Sequence, residues 1–181
     1  LIANAVAGAG QGQGFPWIST TTQSDTVSPG DSSIIQFMIS TEMLNAGITN
    51  GFVLLYTNDP LNPTLQIPVV LTVLGSPAIA LSDSCIHYND QLENAIGVDS
   101  IMVENQGCDT LFISNITTAS SEFVPDTIGP IAIPPFSSYH LVVSFSSGNS
   151  GTYATTLFIQ NNDQDTSICL TGSVLEAPII D

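Results

Sequence analysis

Apolar and polar residues alternate along most of the chain. Leu141, Val143 and Phe145 occupy every second position of one stretch, and Val53 and Leu55 do the same in an earlier one. Because successive side chains of a β-strand point to opposite faces, this period of two residues predicts strands with one buried face. The same period recurs in Ile35, Phe37 and Ile39; in Ile67, Val69, Leu71 and Val73; in Ile79 and Leu81; in Ile101 and Val103; in Leu111 and Ile113; in Leu157 and Ile159; and in Ile168 and Leu170.

Short polar clusters separate the predicted strands. They are rich in Pro, Gly, Asn, Asp and Ser, which favour turns, and they occupy 28–31, 57–60, 105–107, 147–149 and 161–163. No longer stretch has the apolar spacing of a helix, and a single helical turn is predicted at 42–46. Many short strands separated by polar turns predict an all-β fold of immunoglobulin-like β-sandwiches.

One module occurs twice in the sequence. Residues 53–59 read Val-Leu-Leu-Tyr-Thr-Asn-Asp, and residues 157–163 read Leu-Phe-Ile-Gln-Asn-Asn-Asp. Each copy continues into an apolar strand, at 65–73 and 167–174, and then into a proline-containing linker, at 75–79 and 176–180. A spacing of about 100 residues is typical of tandem domains and too long for a solenoid repeat.

The two copies differ in completeness. The predicted organisation is a Gly/Ala-rich linker or donated strand at 1–14, a partial sandwich at 15–75, a complete sandwich at 76–176, and the start of a further linker or repeat at 177–181. The first copy lacks the opening strands of the second. Half a sandwich exposes its core face and its strand edges, so we expect strands from outside the segment to complete it.

The charge of the chain excludes several classes of partner. Sixteen acidic residues are accompanied by no Lys or Arg, and the formal net charge is −16. Recognition of phosphate groups depends on Lys and Arg, so we expect no nucleic acid partner and no anionic membrane surface. No apolar run is long enough for insertion into a membrane. High negative charge on an apolar composition is typical of a soluble, secreted or cell-surface protein.

Residues for catalysis are not evident in the sequence. The two histidines, His87 and His140, alternate with apolar residues and should point outward from strands. The chain contains no Gly-x-Ser-x-Gly, His-Glu-x-x-His or Walker sequence, and its acidic residues lie mostly in turns. We therefore expect that this segment is not an enzyme and that it holds no cofactor, apart from a candidate calcium ion.

Several short motifs resemble bacterial extracellular immunoglobulin-like repeats of the abnormal-spindle/hydin or choice-of-anchor type, as found in large secreted Bacteroidota proteins. The motifs are Phe-Pro-Trp-Ile-Ser at 15–19, Ser-Pro-Gly-Asp-Ser at 28–32, Thr-Asn-Asp-Pro at 57–60, Ile-Pro-Val at 67–69, Glu-Asn-Gln-Gly-Cys-Asp-Thr-Leu at 104–111 and Thr-Gly at 171–172. The resemblance extends from Phe15 over nearly the whole chain. It implies spacers, stalks, adhesin repeats or accessory modules, which have no family active site to carry over.

The three cysteines all lie in the second copy. They are Cys85, Cys108 and Cys169, and their spacing lacks the Cys-x-x-Cys pairs of usual zinc sites. In immunoglobulin-like sandwiches the first and last strands can pair, so we predict a disulfide between Cys85 and Cys169 that leaves Cys108 as a free thiol. A different strand order would instead pair Cys85 with Cys108.

Oxygen-bearing side chains alternate in the turn after the second copy's repeat strand. Asn161, Asp163 and Asp165 are candidate ligands for calcium, which binds six to eight oxygens. The Gly and the distant Glu of an EF-hand are not in place. Capping of the turn by the same side chains is the alternative.

Four triplets of Asp, Ser or Thr, and an aliphatic residue resemble the O-glycosylation sites of Bacteroidota. They make Thr26, Ser100, Thr110 and Thr127 candidate glycosylation sites. Asn115 begins an Asn-x-Thr pattern, which we interpret as coincidental in a bacterial protein.

The sequence as a whole predicts a non-catalytic structural or adhesive repeat of a secreted or surface protein. Its expected partners are neighbouring repeats or subunits that contact sheet edges, or an extracellular glycan or protein ligand. Two alternatives remain open. The segment could be the C-terminal accessory module of a secreted hydrolase, or a filament subunit assembled by strand complementation.

Overall fold

The structure, a computed structural model, describes residues 2–7, 15–21 and 24–176. These residues form strands, turns and loops without a helix, which confirms the predicted all-β fold. The helical turn predicted at 42–46 is wrong, because this region forms an isolated turn in which the Leu44 N–H donates to the Thr41 carbonyl at 3.0 Å. Among the described residues no helix is long and apolar enough to cross a membrane. The chain divides into two compact units, Leu1–Leu74 (unit 1) and Gly75–Asp181 (unit 2).

The described part of unit 1 contains short strands around one long hairpin. The strands are β1 (Ile2–Ala7), β2 (Ile18–Thr20), β3 (Asp25–Thr26), β4 (Phe37–Ile39), β5 (Gly47–Thr57) and β6 (Thr64–Val73). One sheet has the order β3-β1-β5-β6, and the other pairs β2 with β4. Among the described residues of unit 1, the buried cluster consists of Trp17, Ile18 and Val53, with Phe15, Leu44, Val69 and Leu71 packed against it, so this core is small.

The N-terminal segment 1–14, predicted as a linker or donated strand, supplies β1 to its own unit. β1 is antiparallel to β5, with Ala3 opposite Thr57 and Ala7 opposite Val53. Residues 8–14 and 177–181 lie outside the described residues. Because β1 adds to the β5 side of the hairpin, the sheet still ends on β6 at its other side.

Unit 2 is a two-layered β-sandwich. Its strands are β7 (Ile79–Leu81), β8 (Cys85–Leu92), β9 (Gly97–Asn105), β10 (Leu111–Thr118), β11 (Phe123–Pro125), β12 (Ile131–Ile133), β13 (Ser137–Phe145), β14 (Gly151–Asn161) and β15 (Thr166–Leu175). The sheets have the orders β12-β10-β14-β15-β8 and β11-β13-β9-β7. Apolar side chains from both sheets pack into one cluster, as in immunoglobulin-like sandwiches.

The core of unit 2 is built from the alternating positions of its strands. Leu141, Val143 and Phe145 of β13 are all buried, as the period of two residues predicts. The rings of Phe123 and Phe145 stack with their centroids 4.6 Å apart. The other fully buried apolar residues of the cluster are Ile101, Val103, Leu111, Ile113, Ile116, Leu157, Ile159, Ile168 and Leu170.

Gly107 follows β9 where the main chain of the entering linker passes very closely. A Cβ atom at this position would lie 2.6 Å from Ala78 N and nearer still to Ser76 O. We expect Gly107→Ala to destabilise unit 2 by about 1–3 kcal/mol, because main-chain atoms cannot move aside as a side chain can. The measurement is thermal unfolding of the full chain.

The matched control for this substitution is Gly148→Ala. Its Cβ would meet only the Asn94 side-chain oxygen, at 3.3 Å. We expect this variant to unfold within about 0.5 kcal/mol of the original chain, as surface substitutions usually do. Equal stabilities of the two variants would contradict the close approach at Gly107.

Candidate functional site

The most distinctive chemical feature of unit 2 is a disulfide between two neighbouring strands. Cys85 of β8 lies directly opposite Cys169 of β15 in a parallel ladder, with the Cα atoms 4.4 Å apart and the sulfurs bonded. This is the pairing that the sequence predicts, rather than the alternative with Cys108. Cys108 is a half-buried free thiol. The disulfide therefore links the first long strand of the unit to its last.

His87 lies beside the disulfide but has no catalytic partner there. Its Nδ1 is 2.7 Å from the Thr171 hydroxyl and 3.9 Å from the Cys85 sulfur. A sulfur in a disulfide is not a thiolate, so it supplies neither a nucleophile nor a zinc ligand. His140, the second histidine, is exposed on β13 in the other sheet. The structure does not bring the two histidines together on one sheet.

The candidate calcium ligands hold the turn between β14 and β15. The Asn161 N–H donates to Asp165 Oδ1 at 2.9 Å, and the Asp163 N–H donates to Asn161 Oδ1 at 2.8 Å. The second carboxylate oxygen of Asp163 accepts from the Ile79 N–H at 2.9 Å. The Asn161 and Asp165 side chains thus cap the turn, and the Asp163 side chain joins it to β7. In the described part of the chain no group of three or more His, Cys, Asp or Glu side chains is arranged to hold a metal ion.

Several carboxylates of the chain are held in their ionised form by hydrogen bonds. The Leu61 N–H and the Asn62 amide donate to Asp59 at 2.9 and 3.1 Å, and they lower the pKa of its carboxyl group. The Ser120 hydroxyl donates to Glu122 at 2.6 Å and has the same effect on the Glu122 pKa. A general acid needs a raised pKa instead, so these carboxylates act as turn acceptors.

The candidate glycosylation sites differ in accessibility. Thr26 on β3 and Ser100 on β9 are exposed, whereas Thr110 and Thr127 are half-buried. The Thr127 hydroxyl also accepts a hydrogen bond from the Gly129 N–H at 3.2 Å. O-glycosylation stays a prediction for all four sites, and the structure favours Thr26 and Ser100 because their side chains reach the surface.

Asn105 is a structural site that the sequence reading missed. It is the buried polar residue of the described chain, with 1% of its surface exposed. Its side-chain nitrogen donates to three main-chain carbonyls, those of Asp109, Ile133 and Pro134, at 2.7, 3.0 and 3.1 Å. Its oxygen accepts from the Ala78 and Gly107 N–H groups at 3.2 and 3.0 Å. One feature of the sequence could have indicated its burial, because Asn105 continues the inward alternation of Ile101 and Val103.

Tyr88 places a second polar group inside unit 2. Its hydroxyl donates to the Val143 carbonyl at 2.5 Å, and its ring lies next to Phe145 with centroids 5.3 Å apart. Burial and then the nearby Asp99 carboxylate raise the pKa of Tyr88 to about 12. The phenol therefore stays protonated at neutral pH and serves as a hydrogen-bond donor inside the core.

A shallow groove lies on the outer face of the five-stranded sheet of unit 2. Asn115, Thr117, Phe158, Gln160 and Ser167 contribute to its lining. The Asn115 amide donates to Gln160 Oε1 at 3.2 Å, so part of this polar surface is already paired. Asp165 also contributes to the lining, and its Oδ1 accepts from the Asn161 N–H at 2.9 Å.

Comparisons with known proteins do not assign the chain to a family. No family model matches it, and no curated protein matches it. Support is therefore lacking for the narrower resemblance to abnormal-spindle/hydin or choice-of-anchor modules.

Solved structures with a similar arrangement include an ASH/PapD-like domain of human CEP192, with 11% identity and a TM-score of 0.48, covering 55% of this chain and 87% of that one. A protein of unknown function from Porphyromonas gingivalis W83 has 15% identity and a TM-score of 0.47, covering 95% and 84%. Domains 4 and 5 of the S-layer protein SbsC have 15% identity and a TM-score of 0.40, covering 83% and 64%. At these values the neighbours transfer no function to this chain.

Proposed function

We propose that this chain is a non-catalytic, load-bearing module of a secreted or cell-surface bacterial protein, in which immunoglobulin-like units follow one another as spacers. The observation that carries the proposal is the disulfide-linked parallel pair of β8 and β15 in unit 2. These strands stand near the two ends of the unit, and only the short strand β7 precedes β8, so a pull along the polypeptide soon reaches them.

The geometry of this pair suits mechanical load. Because β8 and β15 are parallel, opposite forces on the start of β8 and the end of β15 act along the strands. Without the disulfide, the hydrogen bonds of the ladder would share the load instead of opening one after another. The Cys85–Cys169 bond passes the force directly from one strand to the other, and it shields the chain between them.

The disulfide also supports an extracellular location. Disulfides persist in oxidising compartments and are rare in the cytosol. The net charge of −16 favours solubility at the cell surface, and the absence of Lys and Arg removes every cleavage site for trypsin-like proteases. The structural and adhesive role, rather than catalysis, is consistent with side chains that serve turns and the core.

Force spectroscopy on the full chain tests the load-bearing role. Cys85 and Cys169 are separated by 84 residues, which span about 280 Å when fully extended. We expect the oxidised chain to unfold to a length about 280 Å shorter than the Cys85→Ser, Cys169→Ser variant. Treatment with a reductant should remove the difference.

The matched control is Cys108→Ser, which removes the free thiol and should leave the extended length unchanged. A role in bearing load would be wrong if the oxidised chain extended as far as the double variant. It would also be wrong if both unfolded at the same low force, since the linked parallel pair would then add no resistance.

A further inference from the structure

We propose that unit 1 binds a strand-donating polypeptide, and that this partner supplies two connected β-strands with alternating apolar residues. One strand would lie parallel to β6 and the other antiparallel to β4, as β8 and β9 lie on β15 and β13 in unit 2. The inference rests on strand register and side-chain exposure, and it is independent of the load-bearing role.

The long hairpins of the two units have equivalent positions. Val53 of β5 lies opposite Ile67 of β6, and Leu157 of β14 lies opposite Ile168 of β15. The first strand of each hairpin also has an antiparallel neighbour on its other edge, β1 in unit 1 and β10 in unit 2. Ile67 therefore stands where Ile168 stands in unit 2.

The second sheets match in the same way. Ile18 of β2 lies opposite Ile39 of β4, and Phe123 of β11 lies opposite Phe145 of β13. Ile39 therefore corresponds to Phe145. Phe37, two residues earlier on the same face, corresponds to Val143.

Equivalent inward positions are covered in unit 2 and uncovered in unit 1. Ile168 and Phe145 are 1% and 0% exposed, whereas Ile67 and Ile39 are 41% and 52% exposed. Soluble proteins rarely leave neighbouring apolar side chains of a core face in water. The same positions differ because unit 2 has three more strands, of which β8 extends the sheet beyond β15, and β9 and β7 extend the other sheet beyond β13.

The covering strands of unit 2 define the chemistry of the partner. β8 lies parallel to β15, with Ile86 opposite Leu170, and β9 lies antiparallel to β13, with Ile101 opposite Leu141. Each strand places two buried apolar side chains into the core. They are Ile86 and Tyr88 on β8, and Ile101 and Val103 on β9.

The edges of unit 1 are open to such strands. Within the described residues β6 and β4 each end their sheet. Neither strand carries a charged residue, although charges on an edge are the usual protection against pairing with another chain. Pro68 stands at the place of Cys169, whose N–H donates to Ser84 O in unit 2. Pairing along β6 should therefore involve the residues beyond Pro68.

A second copy of this chain is a poor donor. Its own strands of the required pattern, β8 and β9, are part of the core of unit 2, where Ile86, Ile101 and Val103 are buried. The Cys85–Cys169 disulfide also ties β8 to β15. Their release would require unit 2 to unfold, so the donor is a polypeptide segment of the same pattern that lies outside residues 1–181.

The test uses the full chain and a synthetic peptide with the sequence of residues 75–107. The peptide carries the single substitution Cys85→Ser, which prevents disulfide exchange. We expect the peptide to bind and to slow hydrogen exchange at those amides of 37–39 and 69–73 that do not already donate to β2 or β5. A control peptide with Ile101→Asp and Val103→Asp should not bind, since its apolar face is interrupted.

Variants of unit 1 locate the surface. We expect Ile67→Asp to weaken peptide binding at least about tenfold, because the new carboxylate would be buried against the peptide. Val70→Asp on the same strand is the matched control, since Val70 points to the opposite face. This variant should bind the peptide as tightly as the original chain does. If Ile67→Asp alters the melt of the free chain, Ile39→Asp on β4 serves as the second variant.

Three outcomes would overturn the proposal. The first is a failure of the peptide to bind or to protect these amides. The second is protection of the same amides in the free monomer, which would mean that residues of the chain itself cover the surface. The third is protection that appears only with concentration-dependent association of the chain, which would make a second copy the occupant.

Discussion

Val143→Asp should abolish the cooperative unfolding of unit 2. Val143 is completely buried on β13, between Leu141 and Phe145 in the alternating inward set. A carboxylate there would lose its hydration, and the chain has no Lys or Arg to pair with it. The cost of such a buried charge is several kcal/mol, comparable with the whole stability of about 5–15 kcal/mol that a domain has.

Calorimetry of the full chain with each variant checks this expectation. Val98→Asp is the matched control, because Val98 is an exposed valine on β9 of the same sheet. We expect the control to keep the transition of unit 2, while Val143→Asp loses it and binds a hydrophobic dye. A cooperative transition that survives in Val143→Asp would show that β13 does not face a packed core.

Asn105→Asp should destabilise unit 2 by about 3 kcal/mol or more at neutral pH. The substitution keeps the shape of the side chain, and one oxygen can still accept from Ala78 and Gly107. The other new oxygen would face three carbonyl oxygens now bonded to the amide nitrogen, 2.7–3.1 Å away. Each kcal/mol lost should lower the melting temperature by about 4–8 °C in a domain of this size.

The destabilisation by Asn105→Asp should depend on pH. Burial and the facing carbonyls raise the pKa of the new carboxyl in the folded state above its unfolded value of about 3.9. The folded state then binds the proton more tightly. The variant is least destabilised below about pH 4, and its stability relative to the original chain falls as the pH rises towards the folded-state pKa.

The control for this variant is Asn89→Asp, at an exposed position of β8. The stability of this control should differ little from that of the original chain, both at neutral pH and below about pH 4. Two outcomes would contradict the buried hydrogen-bonded position of Asn105. One is an Asn105→Asp variant as stable as the control, and the other is a destabilisation that does not change with pH.

Local sequence patterns predicted many of the strands. The alternation of Leu141, Val143 and Phe145 correctly predicts a strand with one buried face, and the Asn-Asn-Asp cluster at 161–163 correctly predicts the turn between two strands. The N-terminal residues 2–7 were harder to interpret, because Ala and Asn dominate them and a strand signal is weak. Their pairing with β5 depends on a partner about fifty residues away.

Burial could not be read from the same patterns. Ile39 and Phe145 both continue an alternating apolar set, yet one is exposed and the other is buried. Alternation states which side chains share a face, and it contains no information on whether another strand covers that face. The residue types at 105–107 predicted a turn there, and they could not show that the Asn105 side chain is buried and joins three segments of the main chain.

The sequence by itself determined the all-β class, the approximate strands and turns, and a strongly acidic composition without Lys or Arg. These properties follow from the period of the side chains and from composition, which are local or additive. Only the tertiary structure decided that β8 adjoins β15, that Cys85 meets Cys169, and that β4 and β6 end their sheets. Such neighbours are far apart along the chain, and their choice depends on which pairing buries the most apolar surface while satisfying the main-chain hydrogen bonds.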